Sequence, residues 1–224
     1  RRAHLEALSR ALSLPRMVTA VDDGTTDERW RSINVRATYP AKHLGPMRGV
    51  LKPFVLLELG SARVTPSLPR DMSSFVHEEL VAQGQLTSWT DNRPRALRCV
   101  HPLVTLLEKL DALVRRAPDP DRDAATFVRH YEDAARIVRG VSALPPLDGY
   151  AGVSALADDM VRHKQIKSLP DADHTAFTLA EADRAGAIRR AYEAIAPMYW
   201  APRLTLDECL ETLRTWLTSF RARS

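Results

Sequence analysis

Lys109, Ala112 and Arg116 stand three and four residues apart in a leucine-rich stretch, a spacing that puts all three on one flank of a helix. Lysine brings a compact charge with three donors, arginine a bidentate fork, and a residue as small as alanine between them leaves room for a ligand. That flank suits phosphate. The competing reading is a solvated basic edge on a core helix, and spacing alone favours it. Asp133 falls opposite the apolar stripe of the next helical stretch, with Arg129 four residues before it and Arg136 three after. By pattern this is an exposed ladder of ion pairs, each worth a few tenths of a kcal/mol.

Glu58 is the one ionisable group in the run Phe54–Leu59. Strand-borne carboxylates can hold two Mg²⁺ ions that stabilise the attacking and leaving oxygens of a phosphoryl transfer, but one carboxylate cannot do so alone. A glutamate paired with a lysine or arginine on a neighbouring strand accounts for Glu58 at least as well. Gly60-Ser61 followed by Asp71 imitates a glycine-serine and acidic signature, yet Asp71 stands alone after Pro66 and Pro69, where a strand with two closely spaced acids is required. The seven histidines form no HxxxH or HxH pattern, and Cys99 and Cys209 match no metal spacing, which argues against zinc. No Walker loop, GxGxxG or GxSxG occurs, so P-loop, Rossmann and serine-hydrolase chemistry lose support.

The elements that must carry these residues follow from periodicity. Leu5, Leu8 and Leu12 fit a first helix over Arg1–Leu14 that Pro15 ends. Met17–Val21, Ser32–Tyr39 and Phe54–Leu59 read as strands, with turn chemistry at Asp22-Asp23-Gly24. Residues 66–102 read as connecting structure holding one short helix around Ser74–Val81. From Pro102 the pattern turns helical: Leu103, Leu106, Leu107, Leu110, Leu113 and Val114 form one stripe, and Ala124, Phe127, Val128, Tyr131, Ala135 and Val138 a second. Further helices are expected at Tyr150–Arg162, Leu179–Ala196 and Thr205–Phe220. The fold class is therefore α+β, a small sheet followed by a helical half.

Composition bounds the rest. With 224 residues, 45% hydrophobic and 27% charged, the chain can bury a core, and no apolar run reaches the eighteen or so residues that span a bilayer. Two cysteines make no disulfide framework, so both are expected to be inert, partly buried thiols in a reducing compartment. A net charge of +4 permits a polyanionic partner without requiring one. The opening Arg1-Arg2-Ala3-His4 has no initiator methionine and no capping residue before its helix, which leads us to expect residues upstream.

The ordered set Glu58-Leu59-Gly60-Ser61-Ala62-Arg63, then Thr105-Leu106-Leu107-Glu108-Lys109-Leu110-Asp111-Ala112-Leu113, then Arg129-His130-Tyr131-Glu132-Asp133, then Val161-Arg162-His163-Lys164 resembles the AbiEii/AbiGii toxin family of nucleotidyltransferases, which includes toxins of mycobacterial toxin–antitoxin pairs. Tyr192 and Met198-Tyr199 also fall where that family carries related pairs, although Ala191 replaces an aspartate. The resemblance implies a DNA polymerase β-like nucleotidyltransferase fold, with residues 1–100 as the remainder of a sheet lobe and 101–224 as a helical lobe. It implies that Lys109 contacts a nucleoside triphosphate, that Asp133 is the downstream aspartate, and that Glu58 is a strand acid near the metals. Arg63, Arg116, Arg129 and Lys164 would be NTP or RNA contacts. The implied cofactors are Mg²⁺ and NTP; the implied partners are an RNA, such as the 3′ end of tRNA, and a cognate antitoxin, in the cytoplasm and without a membrane. The family's glycine-serine turn and closely spaced aspartates do not occur in residues 1–224, so the main metal ligands are expected upstream of Arg1 and transfer would need them. The chain would then be truncated, cleaved or degenerate. The alternative is a catalytically silent RNA- or protein-binding module.

Overall fold

A computed structural model of the chain describes residues 2–11, 16–22, 32–40, 52–60, 63–88, 90–91, 93–199 and 201–221. They form two compact units, one of Arg1–Ala62 with Ile195–Pro202, the other of Arg63–Ala194 with Arg203–Ser224.

The first unit opens with helix α1, Arg2–Ala11, shorter than the expected Arg1–Leu14; residues 12–15 lie outside the described residues. Strands β1 (Val18–Asp22), β2 (Ser32–Thr38) and β3 (Phe54–Gly60) form an antiparallel sheet in the order β1-β2-β3, within a residue or so of the expected strands. The rest of the expected turn at Asp22-Asp23-Gly24 lies outside the described residues. Val21, Val35 and Leu57 stand in one cross-strand row, and Val35 on the central strand is buried because both neighbours flank it. One strand residue along, the Arg36 guanidinium covers the Phe54 ring at 4.5 Å.

The second unit corrects the reading of residues 66–102. Strand β4 (Ser67–Arg70) pairs antiparallel with β5 (Leu97–Val100), Leu68 opposite Cys99, around an excursion that carries helix α2 (Phe75–Ala82). Two four-residue strands leave too short a run for alternation to declare itself, and Pro69 demotes the first by pattern. Proline is tolerated here because a two-stranded sheet has only edges. Asp71 closes the base of the pair, accepting from Ala96 N at 2.9 Å and from Arg95 at 3.0 Å. Ser74 caps α2 by accepting from His77 N at 3.1 Å.

Helices α3 (Pro102–Arg116), α4 (Arg129–Arg139), α5 (Val153–Arg162), α6 (Thr175–Thr178), α7 (Ala182–Ala194) and α8 (Leu206–Arg221) complete the unit. The leucine stripe of α3 is buried at Leu103, Leu106, Leu107, Leu110 and Leu113, and α4, with Tyr131, Ala134 and Ala135 buried, packs against both α3 and α8. Val114 and Val138, expected in the stripes, are only half-buried. Pro102 begins α3 and buried His101 caps it: Nδ1 accepts from Leu103 N at 3.1 Å, and Nε2 meets the Pro145 carbonyl at 3.1 Å. A small N-terminal antiparallel sheet and a mainly helical remainder make the fold α+β, as the periodicity predicts.

Candidate functional site

Lys109 on α3 and Asp133 on α4 meet across the packed helix pair, Nζ to Oδ2 at 2.7 Å. The side chains are 21% and 38% exposed, so the pair opens to solvent on one side. Burial pushes the Asp133 carboxyl up, but His130 and Lys109 beside it more than reverse this and hold it below the usual carboxylate range. The charge facing Asp133 thus comes from the neighbouring helix, which the ladder pattern along α4 does not foresee.

His130 sits between the two cations of the α3 flank, with Nδ1 3.4 Å from Lys109 Nζ and Nε2 3.4 Å from Arg116 Nη1. Arg116 has no carboxylate within ion-pair distance among the described residues; burial and then Arg115, Arg122 and Arg129 disfavour its charge, which a guanidinium nevertheless keeps. Ala112 between them is buried in the core. The backbone that carries this cluster is fixed by Arg184 of α7, which donates to the carbonyls of Ala117 at 2.7 Å, Arg116 at 3.1 Å and Arg122 at 2.9 Å. Its guanidinium lies 5.4 Å from the centre of the Phe127 ring. Arg129 is exposed at the start of α4. The result is a local excess of positive charge, with Asp133 as the acid inside it.

The other expected site residues fall elsewhere. Arg63 is drawn into the helical unit: it donates to Asp159 Oδ2 at 2.7 Å, to Gln165 Oε1 at 2.8 Å and to the Tyr150 hydroxyl, and its side chain is 8% exposed. Tyr150 donates to the same Asp159 oxygen at 2.8 Å. Hydrogen bonds from Arg63 and then Tyr150 hold the Asp159 carboxyl below its ordinary range. Glu108 is half-buried, and burial raises its carboxyl against the charges of Lys109 and Arg63. Lys164 is exposed just past α5, its backbone left-handed at φ 57, in a recess shared with Asp111, Arg115 and Lys167. Glu58 belongs to the first unit, exposed on β3 with Asn34, not a cation, as its register neighbour.

Two acids that brace the helices around the site escape linear reading. Asp111, 5% exposed, accepts from Lys167 N at 2.9 Å and Arg115 at 2.7 Å, tying α3 to the segment after α5. Glu132 is fully buried and accepts from Arg136 at 2.7 Å, Arg203 at 3.0 Å and Tyr192 at 3.1 Å, joining α4, α7 and the approach to α8. Each has an arginine four residues on, the only signal the sequence offers for it. An open recess of about 870 Å³ along α8, with Phe177, Leu210 and an Arg189–Asp207 pair in its wall, shares no residue with the α3–α4 cluster.

Among the described residues no group of three or more His, Cys, Asp or Glu side chains is placed to hold a metal ion. The described residues thus supply no ligand set for the Mg²⁺ that the resemblance implies. No helix among them is long and apolar enough to cross a membrane.

A small antiparallel sheet, a helical remainder and a cationic cluster on its first long helix are consistent with a nucleotidyltransferase. The family model described as nucleotidyl transferase AbiEii toxin, type IV toxin–antitoxin system, matches residues 1–213, and the chain belongs to that family. No curated protein and no solved structure matches it. Membership brings nucleotidyltransferase toxin activity in general terms, and an antitoxin as the counterpart of the toxin.

Proposed function

We propose that the chain holds a nucleoside triphosphate on the α3–α4 cluster and transfers its nucleotide to an RNA acceptor such as the 3′ end of tRNA, in the cytoplasm. The observation that carries this reading is the Lys109–Asp133 pair at 2.7 Å beside Arg116, which no carboxylate neutralises among the described residues. An RNA hydroxyl attacks the α-phosphorus; the new P–O bond forms as the bond to the bridging oxygen of the β-phosphate breaks, pyrophosphate leaves with that electron pair, and the hydroxyl proton passes to solvent. Charge grows on the departing oxygens, and fixed cations there lower the barrier because they need no reorganisation as it develops. A lysine ammonium has three N–H groups. Asp133 takes one and aims the others, while Arg116 adds a planar fork. Arg129 and Lys164, both exposed, take RNA phosphates. Glu58 is the strand acid that the family resemblance assigns, and Arg63, which reaches Asp159 with one nitrogen and Gln165 with another, steadies α5 and the segment after it.

The test is incubation of the full-length protein with labelled NTP, Mg²⁺ and total tRNA, alongside Lys109→Ala and Asp133→Ala. Label on RNA that both substitutions abolish supports the reading. An unlabelled RNA pool with the wild-type protein would sink it, and RNA bound without transfer would favour a silent binding module. Label that survives both substitutions would instead overturn the residue assignments.

A further inference from the structure

His130 differs from the two histidines that cap helices. Buried His101 uses Nδ1 to accept from Leu103 N and meets the Pro145 carbonyl through Nε2, so each nitrogen faces a group of the opposite kind. His174 likewise accepts at Nδ1 from Ala176 N at 3.1 Å. At His130 both nitrogens face cationic donors, Lys109 and Arg116, each at 3.4 Å. Lysine and arginine only donate, and a neutral imidazole has one N–H and one acceptor nitrogen. Whichever tautomer forms, one ring N–H points toward a cation; a protonated ring would point two. Asp133 Oδ2 lies 4.0 Å from Nδ1, near enough for the ring to help hold that carboxyl low but too far for a full hydrogen bond.

Such a donor-against-donor arrangement is relieved by an acceptor placed among the three groups. We infer that His130 is a phosphate-binding residue which, with Lys109 and Arg116, forms a three-donor cradle for a linear polyphosphate. The inference rests on the reading that this cluster meets a nucleoside triphosphate, and adds the imidazole as a direct contact. Lys109 and Arg116 are seven residues apart on α3, about 10 Å along the axis at 1.5 Å per residue, with the ring between them. A single phosphate reaches one side of that span; a chain of phosphates reaches both. The ring is 13% exposed, enough to be met from solvent and buried enough for its donor to count.

The experiment is calorimetric titration of the full-length protein with inorganic tripolyphosphate and, separately, orthophosphate. Variants are His130→Ala, His130→Asn, which keeps an N–H near the Nδ1 position, and Lys109→Ala, each checked for an unchanged thermal midpoint. The expected result is tripolyphosphate affinity reduced about tenfold by His130→Ala and largely kept by His130→Asn, with little change for orthophosphate. Lys109→Ala should reduce it further. If His130→Ala binds tripolyphosphate as tightly as wild type while Lys109→Ala does not, the inference is overturned and the nucleotide reading stands. If Lys109→Ala leaves the affinity intact, or the wild-type protein binds no tripolyphosphate, the nucleotide reading falls and the inference with it.

Discussion

Lys109 and Asp133, 24 residues apart in the chain, share a 2.7 Å hydrogen-bonded ion pair across the α3–α4 contact. The pair both neutralises and orients: Asp133 takes one N–H of the ammonium, and the leftover N–H groups of Lys109 remain available to a ligand. The pair is partly open to solvent, so an anion can reach the ammonium while Asp133 stays in place.

Asp133→Asn keeps the shape of the side chain and removes its charge. The expected outcome is a fall of at least about tenfold in kcat/KM for nucleotide transfer, since Lys109 loses its orienting partner, with folding stability changed by less than about 1 kcal/mol because exposed pairs are screened. Steady-state kinetics and urea melts check the two halves separately; a stability loss as large as that of a buried pair would show the role to be structural.

Glu132 should make folding sensitive to acid. Burial raises its carboxyl, but Arg136, Arg203, Tyr192 and Leu204 N together outweigh that and hold it below the ordinary range. A lowered folded value means the stabilisation is fully present above the unfolded value of about 4.3 and is lost as pH falls through the folded one. Glu132→Gln should cost about 3–5 kcal/mol at pH 7, because it removes the buried charge that faces both Arg136 and Arg203, and should show a smaller drop in thermal midpoint between pH 7 and pH 3 than wild type. An unchanged difference between those two pH values would remove Glu132 from the acid transition.

Arg63 bridges Asp159 and Gln165 with separate nitrogens, at 2.7 and 2.8 Å. Arg63→Ala should lower the urea midpoint, and Arg63→Lys should recover only a minor part of the loss, since a point charge cannot hold both acceptors. Combining Arg63→Ala with Asp159→Ala should be less damaging than the sum of the two. Simple additivity would show that the contact carries no coupling.

The two cysteines should separate by reactivity. Burial pushes the Cys209 thiol up to about 11, and it has no exposure, whereas Cys99 on β5 is partly accessible. Iodoacetamide at pH 8 should modify one thiol in the folded protein and the second only after denaturation, as read by intact mass. Rapid modification of both in the native state would contradict the packing of α8 against α4.

Much of the fold is legible in the sequence. The leucine stripe of α3, the alternation of β2 and the apolar run of β3 each exceed the length at which period separates helix from strand. The short pair β4–β5 is not, because four residues with a proline hold no period to read, and their partnership joins segments separated by the whole excursion through α2. Cys209, expected to be partly buried, is completely so, on a helix that packs on α4 and with its sulfur 3.5 Å from the Tyr192 hydroxyl.

By itself the sequence determined the long helices and the three strands of the first unit, and that Lys109 and Arg116 share a flank, because both follow from spacing along one element. Only the tertiary structure decided that Asp133 answers Lys109, that Glu132 lies fully buried among two arginines and a tyrosine, and that His130 stands between two cations. Those relations depend on the rotation and register of one helix against another, set by the core as a whole. Linear spacing carries no record of them.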